Sequence, residues 1–135
     1  MPKTASQMVA EAKQRVENLT VEQAATELAG GDALLVDLRE PIERQQQGVI
    51  PGAVVAPRGM LEFWADPTSS YHRAEFAPDR RIIFHCAGGG RSALAADTLQ
   101  QMGYANVAHL DGGFNAWKAA GQPVEDAGAS PGRTS

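Results

Sequence analysis

The apolar positions of this chain fall into short continuous runs that alternate with helical stripes. Ala33-Leu34-Leu35-Val36, ending at Asp37, is a run of the kind that forms a strand buried on both faces. Ala53 to Ala56, Arg81 to His85 and Asn106 to Leu110 repeat the pattern, which gives four predicted strands. Between them the spacing becomes helical. Thr20 with Gln23 three residues on forms a capping box; Ala24, Ala25 and Leu28 follow, and Gly30-Gly31 ends that helix. Pro41 suits the first turn of a short helix ending near Gln47-Gly48. Residues 57–65 read as a loop and a helical turn carrying Met60, Leu61, Phe63 and Trp64. Leu94, Ala95, Thr98, Leu99 and Met102 share one face of a helix over 92–102, stopped by Gly103. Asp111-Gly112-Gly113 opens a last helix holding Phe114, Trp117 and Ala120. At the start, Met8, Ala12 and Val16 recur every four residues and predict an appended surface helix over 5–17.

Strands alternating with helices predict an α/β domain, a mostly parallel central sheet flanked by helices on both faces. The expected organisation is an N-terminal helical extension over 1–18, one domain over 19–124 and a flexible tail over 125–135. Residues 66–79, rich in Pro, Ser, Asp and Arg, read as a surface loop. Ligands of such sheets bind at the carboxyl ends of strands, so the end of the 81–85 strand is the first place to look for chemistry.

Composition narrows the picture further. The 135 residues are one domain's length, and 43% hydrophobic with 21% charged residues excludes disorder of the whole. A net charge of −4 argues against nonspecific nucleic-acid binding. No apolar stretch is long enough to span a membrane, and none near the start resembles a secretory signal, so a cytoplasmic location is expected. The single cysteine excludes an intrachain disulfide and a Cys-x-x-Cys pair.

That cysteine stands in His85-Cys86-Ala87-Gly88-Gly89-Gly90-Arg91-Ser92, at a strand's end, before a glycine loop, before a helix. Glycines accept the backbone angles of a tight loop whose N–H groups point inward. The helix beyond presents its positive dipole end to the same point, so negative charge on the sulfur is favoured there. Arg91 adds a positive charge that aids an anion or braces the loop. The lysine of a phosphate-binding P-loop is missing, and Cys86 with His85, His72 and His109 has no metal-ligand spacing.

The chain resembles the rhodanese family of sulfurtransferases in its single-domain form, from about Leu19 to Val124. The resemblance rests on three motifs in order. The first is Val36-Asp37-Leu38-Arg39-Glu40 with Glu43 and Gly48-Val49-Ile50-Pro51-Gly52-Ala53. The second is Cys86 to Ser92, similar to the family's Cys-x-x-Gly-x-Arg-Ser/Thr. The third is Leu110-Asp111-Gly112-Gly113-Phe114-Asn115-Ala116-Trp117. Two positions depart from the family: Val49 replaces a histidine that is mainly structural, and Gly90 replaces a bulky residue, which predicts a more open pocket mouth.

The resemblance implies that Cys86 takes the outer sulfur of a donor such as thiosulfate and becomes a persulfide. A thiophilic acceptor, cyanide or a thiol, then removes that sulfur. The loop Ala87, Gly88, Gly89, Gly90, Arg91 and Ser92 would hold the persulfide through its amides, with the Ser92 hydroxyl as a further donor. No cofactor or metal is implied; the partners would be small molecules, with a protein thiol as a further acceptor. Family phosphatases and arsenate reductases carry five residues between Cys and Arg. Here there are four, Ala87 to Gly90, which fits sulfur transfer. The alternative is a non-catalytic or sulfur-carrier module that serves a protein partner.

Arg39 matches the family's Asp-x-Arg arginine and is an expected anion contact, or else an ion-pair partner of Glu43 or another carboxylate. Arg58, after a strand end, is expected to contact an anion or to pair with Glu62. Trp64, Tyr71 and His72 are packing or loop residues or walls of the pocket. Asp37 is expected to fix the loop after its strand, His85 to be a satisfied strand-end residue and Trp117 to lie in the core. His109 carries no expected function.

Overall fold

The computed structural model describes residues 2–129. The elements follow in the order α1 (Ala5–Arg15), β1 (Glu17–Leu19), α2 (Val21–Gly30), β2 (Leu34–Asp37), α3 (Pro41–Gln47), β3 (Val54–Val55), a 3-10 turn (Arg58–Met60), α4 (Leu61–Ala65), β4 (Ile82–His85), α5 (Gly90–Gln101), β5 (Val107–Leu110) and α6 (Gly113–Ala119). A last 3-10 turn covers Ala127–Ala129. The strands lie in the order β1-β5-β4-β2-β3, and every ladder between them is parallel.

Strand alternation sorts the core. Leu34 and Val36 of β2, Ile82 and Phe84 of β4, and Val107 of β5 pack with Leu61 and Trp64 of α4 and with Ala95, Ala96 and Leu99 of α5. Leu35, Ile83, Ala108 and Leu110 point the other way, onto Val21 and Ala24 of α2 and Phe114 and Trp117 of α6. Each central strand therefore buries both faces, which is why it reads as a continuous apolar run rather than an alternating one. The Thr20 capping box forms as predicted: the Gln23 amide donates to Thr20 Oγ1 and the Thr20 amide to Gln23 Oε1.

The sheet differs from the four predicted strands by one. β1 has three residues, of which only Leu19 is buried, and so short and polar an edge strand leaves no periodicity to read. It pairs with β5 in the register Asn18↔His109 and Leu19↔Leu110. The helix before it is more than a surface appendage. Ala12 is fully buried and Val16 belongs to the core. Arg15 Nε and Nη2 donate to both carboxylate oxygens of Asp97 on α5, at 2.9 and 2.7 Å. Residue 125, the first of the expected tail, is tied to the domain: Glu125 and Val49 exchange two backbone hydrogen bonds of 2.8 and 2.9 Å. Residues 130–135 of that tail lie outside the described residues.

Candidate active site

The site is built where β4 ends and α5 begins. Cys86 is buried, 1% exposed, and its Sγ accepts the amide N–H of Gly89 at 3.2 Å and of Ser92 at 3.4 Å. Gly89 caps α5 with φ +105°, so the loop can turn back over the sulfur. The amides of Gly90, Arg91 and Ser92 form the first turn of α5, where N–H groups have no acceptor within the helix. Gly88 is exposed at the rim of the loop, and Ala87 and Gly90 are half-buried.

The outward side of this loop is held by the last motif. The amides of Phe114 and Asn115, at the start of α6, donate to the carbonyls of Cys86 and Ala87 at 2.8 and 3.0 Å. Gly113, with φ +61°, brings the backbones together: a Cβ there would stand 2.6 Å from both carbonyl oxygens. With the carbonyls engaged outward, the amides of Gly89 and Ser92 face the thiol. Gly-Gly of the closing motif is thus a part of the thiol site.

Arg91 braces the loop. Its Nη1 and Nη2 donate to the two carboxylate oxygens of Glu43 on α3, at 2.8 and 2.9 Å. Those hydrogen bonds hold the Glu43 carboxyl far down, at about 2, against a smaller opposing effect of burial. Glu43 Oε1 also accepts the Glu40 amide, which closes the N-terminus of α3. The hydrogen bonds to Glu43, opposed by burial and reinforced by the Glu43 charge, hold the guanidinium protonated.

Arg39 is not an anion contact. Its side chain is fully buried and its guanidinium lies 4.1 Å from the ring centre of Phe114. Arg39 Nε and Nη2 donate to Asp37 at 3.1 and 2.9 Å, and Nη2 also donates to the Gly48 carbonyl at 2.8 Å. Burial pushes the Asp37 carboxyl up, but the charges of His85 and Arg39 and the Arg39 hydrogen bonds outweigh it and leave it below the usual range. Asp37 therefore fixes the loop after its strand, as expected, and takes Arg39 with it. Arg58 turns to Glu62, at 2.9 Å, and to Thr98, at 3.4 Å, rather than to the thiol loop. Trp64 is buried beneath Arg73, Tyr71 is exposed against the edge of Phe63, and His72 Nδ1 meets the Trp64 carbonyl. Trp117 lies in the core and its Nε1 donates to the Pro123 carbonyl. His85 is fully buried beside the ring of Phe114; neither ring nitrogen makes a hydrogen bond of ordinary length among the described residues, and Nε2 stands 3.7 Å from Asp37 Oδ2.

Gly90 faces α1: Val9 stands 3.6 Å from the place its Cβ would take, an ordinary contact distance. One further expectation changes, because Ser92 is engaged elsewhere. Its Oγ lies 2.9 Å from His109 Nδ1, and His109 Nε2 lies 2.7 Å from Asn18 Oδ1. Burial, more than any neighbouring charge, pushes His109 down to about 4, so the imidazole is neutral. Sequence reasoning assigned His109 nothing, since only the pairing of the unpredicted β1 with β5 carries Asn18 to it. Among the described residues no group of three or more His, Cys, Asp or Glu side chains stands together as metal ligands. No helix among them is long and apolar enough to cross a membrane.

Comparison with known proteins places the chain in a family. Residues 20–120 match the family described as rhodanese-like domain. The chain is 46% identical to a solved structure from Rhodopseudomonas palustris, described as a protein of unknown function and possible tyrosine phosphatase. The TM-score is 0.84, with 93% of this chain and 99% of that one covered. It is 28% identical to the thiosulfate sulfurtransferase of Pseudomonas aeruginosa, with a TM-score of 0.73, over 96% of this chain and 23% of that one. It is also 28% identical, over 104 residues, to mouse thiosulfate sulfurtransferase/rhodanese-like domain-containing protein 3, covering 73% of this chain. The matched region spans 66% of that mouse protein's length. With its family match over 20–120 and a thiol cradled at the end of β4, the chain belongs to the rhodanese-like domain family.

Proposed function

We propose that this protein is a sulfurtransferase that carries sulfane sulfur on Cys86. The observation that carries the reading is the Cys86 sulfur at the end of β4, accepting the amides of Gly89 and Ser92 within a loop of four residues before Arg91. The Cys86 thiolate attacks the outer sulfur of a donor such as thiosulfate. A sulfur–sulfur bond forms to Cys86, the donor's own sulfur–sulfur bond breaks, and sulfite leaves with that electron pair. The terminal persulfide sulfur is anionic, and inward amides with the dipole of α5 stabilise it. An acceptor then attacks that sulfur: cyanide leaves as thiocyanate, or a small or protein thiol takes it as a persulfide, and Cys86 is released as thiolate. The cycle draws on no metal or cofactor. A free thiol of this kind persists in a reducing compartment, which supports a cytoplasmic site of action. Oxyanion chemistry is disfavoured by the four-residue loop, and by an Arg91 whose guanidinium is committed to Glu43.

The test is the intact mass of the protein before and after thiosulfate, with and without cyanide, beside Cys86→Ala. We expect the wild type alone to gain one sulfur atom and cyanide to remove it. Absence of any gain, from thiosulfate and from a mercaptopyruvate-type donor, would overturn the reading. So would phosphate release from a phosphomonoester that depends on Cys86 without sulfur loading.

A further inference from the structure

Four side chains form one hydrogen-bonded chain: Cys86, Ser92, His109 and Asn18. Its polarity is fixed from the outer end. Asn18 Nδ2 donates to the carbonyls of Lys13 and Val16, at 2.9 and 3.1 Å, so Oδ1 is the atom turned to His109. An amide oxygen only accepts, so His109 Nε2 carries the proton of that 2.7 Å bond. The neutral ring then has a bare Nδ1, which accepts the Ser92 hydroxyl proton at 2.9 Å. The Ser92 oxygen is left with lone pairs facing Cys86 Sγ at 3.6 Å, an acceptor for the thiol and not a donor to it. The protein thus spends two buried polar side chains, Ser92 and His109, on presenting a proton acceptor to its only cysteine.

We infer that Ser92 and His109 form a proton relay that ionises Cys86 as the sulfur donor arrives, with Asn18 holding His109 in the required tautomer. The inference rests on the sulfur-transfer reading of Cys86. As the Cys86 S–H bond breaks, its proton passes to Ser92 Oγ while the original Ser92 proton passes to His109 Nδ1. The sulfur electron pair attacks the donor. The imidazolium keeps its Nε2 proton on Asn18 Oδ1 and its new proton on Ser92, whose own hydrogen now points to the persulfide. When an acceptor removes the outer sulfur, the thiolate of Cys86 takes the proton back along the same path. His109 acts through Ser92 and is a positioning residue as well as the store of the proton. The groups facing it are few. Cys86 and Ser92 lie on the β4–α5 side and Asn18 on β1. Asp111, beyond β5, favours its protonated form, and Lys13 of α1, paired with Asp111 at 3.2 Å, opposes it.

The test follows sulfur loading from thiosulfate under single-turnover conditions, by intact mass, from pH 5 to about pH 9.5. His109→Asn keeps a side-chain oxygen for Ser92 but no basic site. We expect it to load about a hundredfold more slowly than wild type near pH 6.5 and to approach wild type above about pH 9, where a thiol ionises unaided. Ser92→Ala cuts the path while leaving His109 in place, and should give the same convergence. It serves alone if His109→Asn fails to fold. Loading equal to wild type at all pH values would overturn the relay, and so would a deficit independent of pH, which marks a purely structural role. Failure of the wild type itself to load sulfur would instead remove the underlying sulfur-transfer reading.

Discussion

At the scale of single residues, the most consequential side chain outside the thiol loop is Arg39. It joins β2 to the Gly48 turn and lies on Phe114 of α6, all without contact with water. A buried ion pair need not add much stability, but removing one partner leaves an uncompensated charge. Arg39→Ala strands the Asp37 carboxylate, and we expect it to cost about 3–5 kcal/mol in urea unfolding. Lysine cannot reproduce the fork that spans both Asp37 oxygens and the Gly48 carbonyl, so Arg39→Lys should recover only part of the loss.

At the scale of elements, the thiol loop owes its shape to two helices that are remote in sequence. α6 holds its carbonyls and α3 holds its arginine. Gly113→Ala would place a methyl group against the carbonyls of Cys86 and Ala87 at a left-handed backbone position. We expect about 1–3 kcal/mol from the backbone alone, with sulfur loading lost before the fold is. Thermal unfolding and mass-detected loading separate the two effects. Glu43→Gln removes the charge opposite Arg91. Solvent reaches this pair, so the expected loss is only about 1 kcal/mol at pH 7. Because folding holds the Glu43 carboxyl down at about 2, its stabilisation is present above the unfolded value of 4.5 and fades as pH falls toward 2. Wild type and variant should therefore converge in stability over that window.

At the scale of the whole molecule, the same linkage works through His109. Burial holds it at about 4 when folded, against 6.5 as its ordinary value. Between those two values the unfolded chain binds the proton and the folded chain does not, so stability falls as pH falls from about 6.5 to 4. The loss from His109 alone is on the order of 3 kcal/mol and is complete below pH 4, where the Glu43 contribution is still fading. His109→Asn should make the fall in denaturation midpoints over that range shallower, leaving the part due to buried His85, which burial also pushes down; an undiminished slope in the variant would assign the acid lability to other groups. α1 and β1 take part in this behaviour, since Asn18 and its two carbonyl partners belong to that segment.

The sequence by itself determined the layered α/β order, the place of the thiol and the loop around it. Those properties are local: Leu34 to Val36 and Ile82 to Phe84 are apolar at every position because both sheet faces are covered, and Cys86 adjoins its own glycines. It also carried the family resemblance, through three motifs whose order survives without any knowledge of their contacts. Only the tertiary structure decided which polar groups meet. Arg39 had carboxylates within reach at several positions, and burial against Phe114 selected Asp37. Ser92 had the sulfur beside it, yet β1 placed Asn18 against His109 and so turned the hydroxyl away. An edge strand of three residues has no periodicity to reveal it, and a hydrogen bond between residues 18 and 109 depends on strand register, which no local pattern specifies.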